Sequence, residues 1–362
     1  MTADSILYTE TRIGKLTLKN RIAVAPMTRI SATEDGRATD DMVRYYARFA
    51  RGGYGLVITE GAYPDVRHSQ GYLYQPGIAN DEQAEAWRQV VDAVHAEGAK
   101  IFIQLMHAGA LSQGNHWQES GIAPSAVQPV GEQLGFYRGE GAYPMPRAVA
   151  PDEIRQLIAD FAAAAVRARA AGFDGVEIHG ANGYLLDQFL TSYTNQREDQ
   201  YGGATENRVR LLVEVSEAVR RAVGPDYPVG IRISQGKVND FHHKWAKGEE
   251  DARVIFGSLG RTGLDFIHVT EHDATEPAFG GGPTLAELAK RHGGLPVIAN
   301  GKLGDHDKAA AFVEAGHADV ITLGKAALAN PDWPKRVAME EELADFDSGV
   351  LMPLAHIKES ER

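Results

Sequence analysis

Short runs of apolar, β-favouring residues recur along the whole chain: RIAVAPM (21–27), YGLVITEG (54–61), KIFIQLMH (100–107), GVEIHGA (175–181), VGIRISQ (229–235), DFIHVTEH (265–272), LPVIANG (295–301) and DVITLGK (319–325). Few polar residues alternate inside them. Strands covered on both faces read this way, so the eight runs predict a parallel sheet. Helix-period stretches lie between them, among them PDEIRQLIADFAAAAVRARAAG (151–172) and TENRVRLLVEVSEAVRRAVG (205–224), the second with Thr205 as its N-cap and Glu206 in its first turn. Eight βα units without a domain-sized interruption predict an α/β fold, a single (β/α)8 TIM barrel over residues 1–362. An open doubly wound sheet is the runner-up, but its G-x-G-x-x-G turn after the first strand is missing. TRIGKLTLKN (11–20) reads as a β-hairpin turning near Gly14-Lys15 and plugging the bottom of the barrel. The stretch 108–150, rich in Gly, Pro and polar residues, is a long loop after strand 3, of the length of a lid or a substrate wall.

Barrel enzymes assemble their sites from the C-terminal ends of the strands. Here those ends carry Ala25, Pro26, Met27 and Thr28; Gly61; Gln104 and His107; His179, Asn182 and Tyr184; Arg232; His268 and His272; Asn300 and Gly301; Gly324 and Lys325. The glycine-bearing ends of strands seven and eight, ANGK and LGKA, suit a phosphate held by backbone N–H groups with Lys325 beside it, or are simply tight βα turns. Gln104 alone would read as a hydrogen-bonded core amide. Arg232 is harder to place, because a guanidinium on a barrel strand needs an anion or a ring of acceptors. Glu177 offers a structural salt bridge; a planar, acceptor-rich cofactor would satisfy Gln104 and Arg232 together. His179 and Asn182 each can present an N–H to one oxygen, and Tyr184, with an ordinary pKa of about 10, keeps a proton that it can deliver. A lone histidine on a barrel strand is more often a satisfied core residue, and the His-x-x-Asn-x-Tyr grouping weakens that reading.

Composition narrows the chemistry. The chain has no cysteine, which excludes disulfides, thiolate metal sites, iron–sulfur clusters and a Cys nucleophile, so redox chemistry must come from a cofactor. Lys plus Arg number 37 against 49 Asp plus Glu, a balance of −12 that argues against nucleic acid as a partner. No H-E-x-x-H or equivalent accompanies the scattered histidines, so no metal is expected. The opening MTADSILYTE does not resemble a signal peptide, and no run approaches membrane-spanning length; the expectation is a soluble cytoplasmic protein with no membrane partner, monomer or homo-oligomer undetermined.

From LTLKNRIAVAPMTR (16–29) to LGKAALANPDWPKR (323–336), and above all in HGANGYLLDQFLTSYTNQREDQYGGATENR (179–208), the chain resembles the Old Yellow Enzyme family of FMN-dependent ene-reductases. The resemblance implies FMN lying along Ala25–Thr28, with Gly61, Gln104 and Arg232 on its ring system and Asn300, Gly301, Gly324 and Lys325 around its phosphate. It implies that His179 and Asn182 bind a substrate carbonyl and that Tyr184 donates a proton. NADH or NADPH would reduce the flavin, and an enone or other activated alkene would then receive hydride at its β-carbon. Lys325 stands where many relatives have Arg, the family's HAGR reads HAGA (107–110), the tail MPLAHIKESER (352–362) has no aromatic residue to reach the site, and Thr28 replaces a redox-tuning Cys of some relatives. The alternatives are a flavin-free TIM-barrel lyase or aldolase gripping a phosphorylated substrate, and a flavoprotein that binds without turnover.

Overall fold

The computed structural model describes residues 4–117 and 121–362. Residues 1–3 at the start of the chain and 118–120 of the long loop lie outside the described residues. Eight strands close into one barrel: β1 (Ile22–Val24), β2 (Leu56–Ala62), β3 (Lys100–Leu105), β4 (Gly175–Asn182), β5 (Val229–Lys237), β6 (Phe266–Thr270), β7 (Val297–Asn300) and β8 (Val320–Leu323). Every strand pairs in parallel with its sequence neighbour, and β8 closes on β1. The helices that carry the chain back over the barrel include α1 (Asp40–Arg51), α2 (Asp81–Ala96) and α3 (Pro151–Ala170). Their apolar faces meet the outward residues of the strands in one continuous core.

The strand interiors explain why the barrel is solid at its floor. Phe102 and Phe266 stack inside it with ring centroids 5.7 Å apart. Strands β4 and β5 leave them room by placing Gly175 and Gly230 opposite, where an added Cβ would lie 2.6 Å and 2.2 Å from a phenyl carbon. Below the phenyls sits the predicted hairpin, Thr11–Ile13 paired antiparallel with Leu16–Leu18 and turned through Gly14 at φ +56°. Its Ile13 and Leu18 join Leu56, Ile58, Ile298 and Val320 in a separate apolar cluster. At roughly 1.5–3 kcal/mol per fully buried aliphatic side chain, that contact fastens the plug.

One predicted helix differs from the structure. The stretch 205–224 forms α5 (Thr205–Arg208) and α6 (Arg210–Val223) after a short α4 (Leu185–Leu190). Ala204, not Thr205, occupies the cap, because the Thr205 hydroxyl donates instead to Asp251 in α7 (Glu249–Leu259). The side chain that would have capped the helix from within is spent on a neighbouring one. Helices α8 (Leu285–Gly293), α9 (His306–Glu314), α10 (Lys325–Ala329) and α11 (Trp333–Ala338) complete the chain. No described helix is long and apolar enough to cross a membrane.

The long loop and the C-terminal segment lie over the rim. Residues Ile122–Ala123 and Arg147–Ala148 pair as two short strands, and between them Gly135–Tyr137 makes a 3-10 turn. The Tyr137 hydroxyl donates to the Thr28 carbonyl at 3.3 Å, and the Phe136 carbonyl accepts from Ala355 N at 2.8 Å. Arg29, next to Thr28 and fully buried, makes a two-pronged ion pair with Glu361 and donates to the Ala355 carbonyl. The tail, which has no aromatic residue to offer the site, is thus a strap that holds the β1 end from behind.

Candidate active site

Inward-facing residues of the upper barrel are polar where those of the floor are phenyls. Register places Gln104 beside Glu177, His179 beside Arg232, Arg232 beside His268, and Asn300 beside Thr322. The fully buried Glu177 carboxylate accepts from Gln104 Nε2 at 2.8 Å and faces His268 Nδ1 at 2.7 Å, while His268 Nε2 meets the Thr322 hydroxyl at 3.0 Å. Burial pushes the Glu177 carboxyl up, but His268 and Arg232 outweigh it and leave it below the usual carboxylate range. It therefore stays ionised at neutral pH. His268, a candidate ligand in the sequence, is satisfied on both nitrogens, and among the described residues no group of three His, Asp or Glu is placed to hold a metal.

Arg232 is not in a salt bridge with Glu177. Its Nη2 reaches only the Asn300 Oδ1 at 3.3 Å, and its Nε is buried without any partner. Burial lowers its pKa, with the Glu177 charge opposing that shift. A buried guanidinium with a spare donor fits an acceptor-rich ring edge, and the Gln104 amino group, tied down by Glu177, leaves its carbonyl oxygen uncommitted to that bond. These residues fit the pyrimidine edge of a flavin.

The remaining predicted contacts sort by geometry. Ala25 is buried and anchored through its N–H to Leu323, whereas Pro26, Met27 and Thr28 are half-buried along the mouth. Gly61 pairs with Gln104, and its missing side chain leaves space for Met106, whose Sδ would lie 2.5 Å from an added Cβ. A packing reason thus accounts for that glycine. The Asn300 side chain accepts from Arg232 and Thr270 and donates to the Thr322 carbonyl at 2.9 Å, so it orients Arg232. Gly301 at φ +137° and Gly324 sit at the ends of β7 and β8, and the exposed Lys325 ammonium lies over the Phe346 ring.

His179, Asn182 and Tyr184 come together at the top of β4. His179 Nδ1 accepts the Ala181 N–H at 3.3 Å, which leaves the ring proton on Nε2; that nitrogen has no partner among the described residues. Burial, then the Arg232 and His268 charges, hold the ring well below its usual pKa, so it is a neutral donor. Asn182 adopts φ +62° and the following Gly183 φ +86°, a tight left-handed turn that ends the strand and starts α4. The turn is held by the Ser234 hydroxyl on Asn182 N at 2.8 Å and by the Asp187 carboxylate on Gly183 N at 2.6 Å. The Asn182 amide makes no bond of its own among the described residues and is half-exposed. Tyr184 packs edge-on against His179, with centroids 5.0 Å apart, and burial raises its pKa to about 12.

Several residues of the site had no signal in the sequence. Tyr72 and Tyr137 stand in loops with no periodicity; the structure packs their rings at a tilt with centroids 4.6 Å apart and bonds the Tyr72 hydroxyl to that of Tyr184 at 2.6 Å. Lys237 lies two residues past the predicted end of strand five. In the structure β5 runs on to include it, and its ammonium contacts both Asp187 oxygens, at 3.0 and 2.9 Å.

Residues 7–344 match the family described as NADH:flavin oxidoreductase / NADH oxidase. A probable flavin mononucleotide-dependent alkene reductase from Leishmania infantum is 39% identical over 90% of this chain and 88% of its own length. The NADH oxidase of Thermoanaerobacter brockii is 35% identical over 93% of this chain, which spans only 51% of that longer protein. Among solved structures, an old yellow enzyme homologue from Zymomonas mobilis superposes with a TM-score of 0.88, at 35% identity and 98% coverage of both chains.

Proposed function

Since this chain belongs to the NADH:flavin oxidoreductase / NADH oxidase family, the Old Yellow Enzyme family, we propose that its barrel mouth reduces activated C=C bonds, with Tyr184 as proton donor. FMN held there by Gln104, Arg232 and the β1 end would supply two-electron hydride chemistry between a nicotinamide and the substrate's β-carbon. The chain supplies everything else. His179 Nε2–H and the Asn182 amide converge on the substrate oxygen, where negative charge grows as the hydride arrives, so they bind the transition state better than the ground state. Tyr184 gives its proton to the α-carbon. The observation that carries this reading is the cluster of a neutral His donor, a free amide and a buried phenol on one turn, beside the unpaired Nε of Arg232. A cytoplasmic setting, where reduced nicotinamide nucleotides are made and spent, fits it. Steady-state oxidation of NADH and NADPH against enones, maleimides and nitroalkenes tests it; a colourless protein that takes up no FMN would refute it.

A flavin-free aldolase reading needs a free inner lysine. Among the described residues the single buried lysine is Lys237, and Asp187 neutralises it.

Three substitutions check the parts. His179→Ala and Asn182→Ala should each weaken a phenolate ligand that mimics the enolate about ten- to hundredfold, the loss of one hydrogen bond to a charged group; flavin absorbance titration reads this directly. Arg232→Met should lower the flavin potential. One charge about 4 Å away at an effective dielectric near 20 contributes roughly 4 kcal/mol at most, on the order of 90 mV for two electrons. Glu177 and desolvation reduce that ceiling, and an unchanged potential would make the guanidinium structural.

A further inference from the structure

The hydroxyl pair Tyr72–Tyr184 carries more than packing. Both phenols are buried, Tyr72 at 1% and Tyr184 at 5% exposure, and among the described residues each hydroxyl has only the other as a partner. Two hydroxyls 2.6 Å apart share one proton between them and leave the second to point elsewhere. If Tyr184 donated to Tyr72, the proton of Tyr72, the more deeply buried of the two, would be left among apolar side chains such as Ile30 and Met106 with no acceptor among the described residues, which is unfavourable for a buried polar group. With Tyr72 as donor, the spare proton belongs to Tyr184, the less enclosed of the two and the one that abuts His179.

Tyr72 is also held in place. Its N–H and that of Gly71 donate to the Gln75 side chain, whose own amide donates to the Gly61 carbonyl at 2.7 Å, and its carbonyl accepts from Gln70 Nε2 at 3.0 Å. The ring is braced by Tyr137. A fixed donor of this kind needs no rearrangement when charge appears beside it.

We propose that Tyr72 is a positioning residue for the proton donor: its O–H donates to the Tyr184 oxygen, aims the Tyr184 proton at the substrate and stabilises the phenolate left when that proton departs. The inference rests on Tyr184 being the donor. In the step, the Tyr184 O–H bond breaks and a C–H bond forms at the substrate α-carbon, whose electron pair comes from the enolate produced by hydride addition at the β-carbon. The phenolate keeps the Tyr72 hydrogen bond until water returns a proton to it.

The test is a double-mutant cycle on the FMN-loaded enzyme, with Tyr72→Phe, Tyr184→Phe and the pair, following flavin reoxidation by cyclohexenone after anaerobic reduction. Tyr72→Phe should slow reoxidation roughly ten- to hundredfold and leave reduction by the nicotinamide unchanged, and the double variant should be no slower than Tyr184→Phe alone. Tyr72→Phe reoxidising at the wild-type rate would overturn the inference. So would a double variant slowed by the product of both factors, since Tyr72 would then act independently of Tyr184. If Tyr184→Phe itself reoxidises normally, the reading of Tyr184 as donor falls, and the inference with it; a slow Tyr184→Phe beside a normal Tyr72→Phe sinks the inference alone.

Discussion

Tyr184→Phe should slow reoxidation by an enone by roughly 10²–10⁴-fold, the usual worth of a positioned general acid, while reduction by NADH or NADPH keeps its rate. The asymmetry follows from where the hydroxyl sits. Only the half-reaction that forms a C–H bond at the α-carbon needs a proton from it, whereas the nicotinamide gives up a hydride and requires none. Phenylalanine keeps the ring that packs edge-on against His179, so the barrel end is preserved and the loss belongs to the hydroxyl. Stopped-flow traces of the two half-reactions separate the cases, and equal slowing in both would assign the residue to packing. With a pKa pushed up to about 12 by burial, Tyr184 keeps its proton across the neutral range, and protonation by it should show no ionisation of its own between pH 6 and 9.

Lys237→Ala should cost about 3–5 kcal/mol of stability, the penalty for leaving one member of a buried ion pair uncompensated. The ammonium is 3% exposed and Asp187 0%. Asp187 also accepts the Gly183 N–H and lies beside the Thr191 hydroxyl, so an unbalanced carboxylate there would disturb the turn that carries Asn182 and Tyr184. Denaturant unfolding measures the loss. The apolar pair Lys237→Met with Asp187→Leu should recover much of it, though not all, because Gly183 N–H then lacks an acceptor. A Lys237→Ala variant as stable as the parent would mean the pair lies in water.

Architecture was legible because it is written in runs. Parallel strands covered on both faces are apolar throughout, and RIAV, IFIQL and GIRIS announce themselves without reference to anything distant. The hairpin plug was equally local, fixed by Gly14 at the turn. His179, Asn182 and Tyr184 were legible for the same reason, lying within six residues on one strand end. What escaped was contact between distant segments. Nothing in GYLYQ says that Tyr72 will meet a hydroxyl 112 positions later, and nothing in Thr205 says that its oxygen will leave its own helix for Asp251. Arg232 and Glu177 were readable as charges in a barrel but not as strangers to each other. Which of Gln104, His268 and Asn300 each would choose depends on the radial position of eight strand ends.

The left-handed turn at Asn182 bears on how such a catalyst can diversify. Of the side chains able to offer a hydrogen to a ketone, few tolerate φ +62° there; asparagine and histidine do so far more readily than threonine, whose branched Cβ is penalised. Substitution at this proposed carbonyl anchor is therefore confined to a narrow set of side chains. Variety in the substrates accepted would then have to come from other parts of the mouth, such as Tyr137, whose loop bonds to the Thr28 carbonyl.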